Sequence, residues 1–216
     1  MAVHYPILLC RTDLRAVVIG GGPVGQRKAA GLRDAGIPFR LVSLTPAPED
    51  WSDSPQSQWV QDAYRPDHLD ASQLVFAAAV PTVNAQVLAD AHARGLWVNS
   101  ADNPEAGDFV LPAVIRQGDL LLAVHTGGAA PSLAKRIRER LSQDFDSQFG
   151  EWVALLAEVR PQILARIPDS AARRGLLQSI TEWHWLDRFR QEGRDSVAQS
   201  IEESIRRLEA SGPTSL

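Results

Sequence analysis

Three glycines, Gly20, Gly22 and Gly25, follow the apolar β-branched run Val17-Val18-Ile19 and open a helix-compatible stretch that continues to Ala35. The spacing Gly-x-Gly-x-x-Gly between a strand and a helix suits a dinucleotide. The first glycine permits the tight turn, the second lets a pyrophosphate approach the backbone, and the third lets helix and strand pack closely. The helix that starts at Pro23 and Val24 would turn its unpaired amides towards that anion. A ligand-free strand–helix turn in an α/β domain has the same pattern. Ser43 ends the second apolar run, at the place about 20 residues on where an Asp or Glu commonly holds the adenine ribose. A hydroxyl bonds a ribose more weakly than a carboxylate does, and Ser43 serves equally as an ordinary turn residue. Arg40 is not well placed for a 2′-phosphate, so NAD is favoured over NADP.

A second constellation is Trp97-Val98-Asn99-Ser100-Ala101-Asp102-Asn103-Pro104. A buried strand ends here and a carboxylate stands just beyond its carboxyl edge, where open α/β sheets bind ligands. Asp102 there could act as a general base, or Asp-Asn-Pro could simply initiate a turn. Asp108 is the rival carboxylate. Further on, Lys135, Arg136, Arg138 and Arg140 crowd around one acid, Glu139. They form either a solvated helix face or a cationic wall for a polyanionic ligand. The preceding Ala130 has no side-chain acceptor, leaving the first amides of that helix to water or an anion. The five histidines, His4, His68, His92, His125 and His184, show no metal-ligand spacing, and no metal site is expected. Among them His125 lies beside Thr126-Gly127-Gly128 at a strand end.

Positioning these groups requires strands at Ala16–Ile19, Phe39–Ser43, Leu74–Ala79 and Trp97–Asn99. Helices are expected over Pro23–Ala35 and Thr82–Arg94, and Ala47–Gln58 reads as a polar loop. Strands alternating with helices of this length imply a Rossmann-like, doubly wound parallel sheet. After it, Phe109–Arg116 and Asp119–His125 form a hairpin through Gln117-Gly118. A helix then starts at Pro131 with Leu133, Ile137 and Leu141 on one face. From Phe149 onward only helical faces remain: Trp152, Leu155, Leu156 and Val159; Leu176, Leu177 and Ile180; Ile201, Ile205 and Leu208. Trp183, His184 and Trp185 are assigned to helix packing and Ser211–Leu216 to a disordered tail. The expected division is 1–108, 109–147 and 148–216: an α/β sheet domain, a small α+β segment and a helical C-terminal subdomain.

Composition adds exclusions. The net charge of −4 gives no reason to expect nucleic acid, and one cysteine, Cys10, fits a reducing compartment. No apolar run approaches the roughly 20 residues of a membrane span, and the N-terminus lacks the charged start of a signal peptide. A cytoplasmic protein is expected.

Together these segments resemble the precorrin-2 dehydrogenase / sirohydrochlorin ferrochelatase family, the dehydrogenase part of siroheme synthases. The resemblance rests on Tyr5-Pro6-Ile7, Gly20 to Lys28, Phe76-Ala77-Ala78-Ala79 with Val83-Asn84, and Val98 to Asp102. It continues through Asp108-Phe109-Val110-Leu111-Pro112-Ala113, Gly118, Leu120–Val124 and Thr126-Gly127-Gly128 to Pro131-Ser132-Leu133-Ala134. Two departures stand out. Ala79-Val80-Pro81 is one residue shorter than the family's usual polar segment, and Ala130 replaces a frequent serine.

The resemblance implies removal of a hydride and a proton from precorrin-2, giving sirohydrochlorin and NADH, with Asp102 as the catalytic base at a raised pKa. It implies cofactor contacts at Gly20, Gly22, Pro23, Val24, Gly25, Ser43, Ala78 and Asn84. Arg116, His125, Gly127, Gly128, Lys135 and Arg138 would meet the carboxylate-rich tetrapyrrole. It further implies a homodimer through the hairpin and the helix after Pro131. Insertion of Fe2+ or Co2+ would be a second activity, and the methyltransferase domain of some siroheme synthases is expected to be absent. The competing reading is a regulatory module that senses nucleotide or binds tetrapyrrole without turnover.

Overall fold

A computed structural model describes residues 4–11 and 13–210, so the tail expected over Ser211–Leu216 lies outside the described residues. The chain forms two compact units, one reaching Leu111 and the other starting at Pro112.

The first unit runs β1 (Ala16–Ile19), α1 (Pro23–Asp34), β2 (Phe39–Ser43), β3 (Ser57–Gln61), β4 (Leu74–Ala77), α2 (Pro81–Ala93) and β5 (Trp97–Ser100). The strands pair in the order β3-β2-β1-β4-β5, all parallel. Every residue of β1 (Ala-Val-Val-Ile) and β4 (Leu-Val-Phe-Ala) is buried, as parallel strands covered on both faces require. One face presents Ala16, Val18, Leu41 and Phe76 to Ala29 and Leu32 of α1. The other presents Val17, Ile19, Val75 and Val98 to Val87 and Ala91 of α2. The sheet is therefore doubly wound. Its chain path reverses at β1, which makes the carboxyl ends of β1 and β4 the topological switch point.

Two departures from the expected elements bear on the site. β3 begins inside the segment read as a polar loop, because an edge strand with one half-exposed face tolerates Gln58 and Gln61. β4 stops at Ala77, since the backbone of Ala79 turns to the Asn84 side chain instead of the ladder, giving its N–H to Oδ1 at 2.8 Å and accepting from Nδ2 at 3.1 Å.

The second unit opens with the antiparallel hairpin β6 (Ala113–Gln117) and β7 (Leu120–Val124). The first hairpin strand starts later than Phe109. That residue belongs to the first unit, its ring edge-on to Phe76 at 5.5 Å and its carbonyl accepting from Asn99. Five helices follow: α3 (Pro131–Asp144), α4 (Ser147–Arg166), α5 (Ser170–Ser179), α6 (Trp183–Glu192) and α7 (Arg194–Ala210). Asp146 and Asp169 cap α4 and α5 by accepting the amides of Phe149 and Ala172. Phe149, Trp152, Leu155, Val159 and Ile163 of α4 pack with Leu186, Phe189, Ile201 and Ile205. Trp183 to Trp185 start a helix of their own, a fourth C-terminal helix where the sequence showed three apolar faces. Only Ala134 of α3 is buried, and Leu133 is 50% exposed. Among the described residues no helix is long and apolar enough to cross a membrane.

Candidate functional site

The glycine turn sits at the carboxyl ends of β1 and β4. Gly20 has φ +115°, and a Cβ there would lie 2.3 Å from the carbonyl oxygen of Ala78. The amide of Ala78 in turn donates to Ile19 O at 2.8 Å, so Ala78 forms the opposite lip of the turn. At Gly25 a Cβ would stand 1.8 Å from Gly20 O, which brings α1 down onto the turn. Gly22 is different: nothing lies within 4 Å of an added Cβ. Two glycines of the motif are thus demanded by the protein's own backbone, and the middle one faces open space.

Gly22 is also the N-cap of α1, with no side-chain cap, Pro23 in the first helical position and no acidic residue in the first turn. The amides of Val24 and Gly25 follow. Gln26 Nε2 donates to Gly21 O at 2.8 Å and holds the loop from behind. An open backbone approach, uncapped amides and a first helical turn without acidic residues fit a pyrophosphate.

Ser43 closes β2 beside this turn, nearly buried. Its Oγ lies 2.9 Å from Thr45 Oγ1 and accepts the Thr45 amide at 3.2 Å. A Cβ on Gly21 would meet Ser43 Oγ at 2.5 Å and Trp59 Cη2 at 2.8 Å. The Trp59 indole, whose Nε1 donates to Thr45 O at 3.0 Å, therefore walls the turn. It escaped sequence reading because it lies in β3, a strand not expected from the sequence. Arg40 points elsewhere, donating to the carbonyls of His68 and Asp70 at 3.1 and 2.6 Å.

Asp102 stands just past β5, exposed. Its Oδ1 accepts from Ser100 Oγ at 2.8 Å and from Asn84 Nδ2 at 2.8 Å. Asn84 is 1% exposed, and its amide is spent on Ala79 and Asp102, so it positions the carboxylate. Chiefly the Ser100 bond, with the Asn84 bond, holds the carboxyl below its ordinary range against a smaller opposing effect of burial. This corrects the raised pKa expected for Asp102: two donors to the anion outweigh desolvation at an exposed loop.

Asp108 is occupied differently. Its Oδ2 accepts Val98 N at 2.8 Å, its amide donates to Val98 O at 2.8 Å, and His92 Nε2 lies 3.4 Å from it. The rival carboxylate thus closes the open edge of β5.

Lys28 has no role assigned from sequence. It follows Gly25 and precedes Ala29 and Leu32 at the i, i+3, i+4, i+7 spacing of a buried stripe, a signal already present in the sequence. Its ammonium donates to Asn99 Oδ1 and lies 5.5 Å over the Phe76 ring, while Asn99 Nδ2 donates to Phe109 O at 2.8 Å. Burial, helped by the neighbouring Arg27, lowers its pKa.

In the second unit Gly127 (φ +65°) and Gly128 (φ +82°) lead into α3, with Thr126 Oγ1 donating to Ala130 O at 3.0 Å. Ala130 provides no side-chain cap and the first turn of α3 holds no acid. Lys135 and Arg138 share Glu139 at 3.8 and 3.5 Å, at exposed positions where such pairs contribute about 0–1 kcal/mol. Arg116 and His125 are exposed. Among the described residues no group of His, Cys, Asp and Glu could hold a metal ion.

Residues 7–113 match the family model described as "Putative NAD(P)-binding". The siroheme synthase of Chromobacterium violaceum is 36% identical over 181 residues, 82% of this chain and 38% of that protein. That of Pseudomonas entomophila is 38% identical over 175 residues, 77% of this chain and 36% of the relative. The chain therefore spans well under half the length of these curated relatives. Among solved structures, "SirC, precorrin-2 dehydrogenase" superposes with a TM-score of 0.74 at 25% identity, covering 93% of this chain and 100% of that one.

Proposed function

This chain belongs to the family formed by the precorrin-2 dehydrogenase part of siroheme synthases, and from that membership we propose that it oxidises precorrin-2 to sirohydrochlorin with NAD+. The observation that carries the proposal is Asp102, an ionised carboxylate held by Ser100 and Asn84 beyond β5, in the sheet whose β1 turn suits a pyrophosphate.

The nicotinamide, when bound, supplies the hydride acceptor. The protein's part is to hold and to deprotonate. Gly22 and the amides of Val24 and Gly25 take the pyrophosphate, with Gly20, Pro23 and Ala78 shaping the turn around it, and Ser43 takes the ribose. Asp102 accepts the proton that leaves the macrocycle. Its depressed pKa keeps it in the base form throughout neutral pH, and its exposure lets the proton pass on to water. Asn84 serves the cofactor side indirectly, by fixing Ala79 and Asp102 together.

In the second unit Arg116, Lys135 and Arg138 bind substrate carboxylates, a match for the planar fork of arginine, and His125, Gly127 and Gly128 contact the macrocycle. The chain pairs with a second copy through residues 109–147. Supporting this, Val114 and Leu133 are 40% and 50% exposed. The exposed, anionic Asp102 also suits a second step in which Fe2+ or Co2+ enters as substrate and pyrrole protons must be accepted. The lone Cys10 supports a cytoplasmic location.

The test compares Asp102→Asn with Asp108→Asn under anaerobic turnover. Loss of sirohydrochlorin formation in the first, with NAD+ binding kept, and retention in the second support the proposal. Unimpaired turnover by Asp102→Asn would overturn it.

A further inference from the structure

The arginines of α4 to α7 fall into two sets. Arg166 reaches Glu202 and Glu209, each at 2.7 Å. Arg188 pairs with Glu192 at 2.8 Å, Arg190 with Asp146 at 3.3 Å, Arg194 with Glu158 at 2.5 Å and Arg206 with Glu202 at 2.8 Å. Arg207 is engaged by the Glu203 carbonyl and the Ser204 hydroxyl. Arg160, Arg173 and Arg174 form no ion pair among the described residues. These same three line one open cavity of about 520 Å³ between α4 and α5, together with Ser170, Gln178 and Thr181.

The lining consists of the three arginines, Ser170, Gln178, Thr181 and the apolar Leu177, with no acidic residue among them. The nearest acids along the chain are engaged elsewhere: Glu158 pairs with Arg194 at 2.5 Å, and Asp169 accepts the Ala172 amide at 2.6 Å. Arg173 gives one N–H to Ile167 O at 3.4 Å, which anchors its stem and leaves further donors of its fork for the cavity. Three arginines thus gather at one hollow in a chain whose net charge is −4. Guanidinium forks bind oxyanions carrying more than one charge in bidentate fashion.

We propose that this cavity is a second anion site, formed by Arg160, Arg173 and Arg174, for a small multivalent oxyanion, either a polycarboxylate or a diphosphate. It uses none of the residues assigned above to cofactor or tetrapyrrole.

The experiment is calorimetric titration of the full chain with citrate and, separately, with pyrophosphate, at an ionic strength matched with NaCl. With NAD+ in excess to occupy the glycine turn, one of the two binds saturably with a component that persists in Lys135→Gln/Arg138→Gln, and which one does so identifies the carboxylate or the phosphate source. Affinity falls about tenfold or more in Arg160→Gln/Arg174→Gln and is unchanged in Lys135→Gln/Arg138→Gln. NAD+ titration of each variant reports the fold of the first unit, and a melting curve reports that of the second. Arg160→Lys/Arg174→Lys keeps the charge without the fork; it binds more weakly than wild type and decides the matter if the Gln variant melts early. Absence of saturable binding by either anion, or wild-type affinity in both arginine variants, would overturn the proposal, as would loss confined to Lys135→Gln/Arg138→Gln.

Discussion

The behaviour of Asp102 depends on two neutral donors rather than on burial. Hydrogen bonds from Ser100 and Asn84 stabilise the anion, so its proton is lost at lower pH than for an ordinary carboxylate. Ser100→Ala removes the larger effect. The acid limb of kcat/KM against pH then moves to higher pH, while the rate at neutral pH stays close to wild type. An unmoved acid limb would show that another group sets it. The linked stability has the same sign: it is present above the unfolded carboxylate pKa and lost as pH falls through the depressed folded value, and it is small at so exposed a site. Ser43 governs a separate property. Its place carries neither the acid that excludes a 2′-phosphate nor, with Arg40 turned to His68 and Asp70, a cation that attracts one. Ser43→Asp should raise the preference for NAD+ over NADP+ by about ten- to a hundredfold, since a charged hydrogen bond contributes about 1.5–3 kcal/mol; steady-state kinetics with both cofactors reads it. Asp102 stood out in the sequence by its place after a strand. Its environment did not, because Asn84 reaches it across 18 residues of chain and only the sheet brings them together.

The glycine turn separates packing from ligand binding at the level of the element. A methyl group on Gly25 would collide with Gly20 O and force α1 off the turn, whereas one on Gly22 meets nothing. Gly25→Ala should therefore lower stability by about 1–3 kcal/mol and abolish NAD+ binding with it. Gly22→Ala should melt within about 0.5 kcal/mol of wild type and still lose NAD+ affinity. Denaturant melts and NAD+ titrations on the two variants check the contrast. The same turn was the clearest element in the sequence, since strand, glycines and helix lie within one local stretch. β3 was hidden for the opposite reason. It is a polar strand at the sheet edge, made a strand by pairing with β2 from Phe39↔Ser57 to Ser43↔Gln61 and not by its own composition. Trp59 and its place against Gly21 were hidden with it. The α6 boundary was lost because Trp183 and Trp185 read as packing residues of a neighbouring helix.

At the scale of the molecule, the sheet unit holds the groups suited to a dinucleotide and a proton, and the second unit holds unpaired cations and uncovered apolar residues. The uncovered set belongs to the proposed pairing with a second copy. Leu133→Glu should convert a dimer to a monomer in sedimentation equilibrium while leaving the melting of the helical core nearly unchanged, since Leu133 lies outside that core. The central claim is the oxidation itself. Precorrin-2 generated in place under anaerobic conditions would be mixed with the purified chain and NAD+, and sirohydrochlorin followed by its visible spectrum. The account predicts sirohydrochlorin and NADH in equal amounts, and neither with Asp102→Ala. A folded chain that binds NAD+ but yields no sirohydrochlorin would contradict it and leave a binding module in its place.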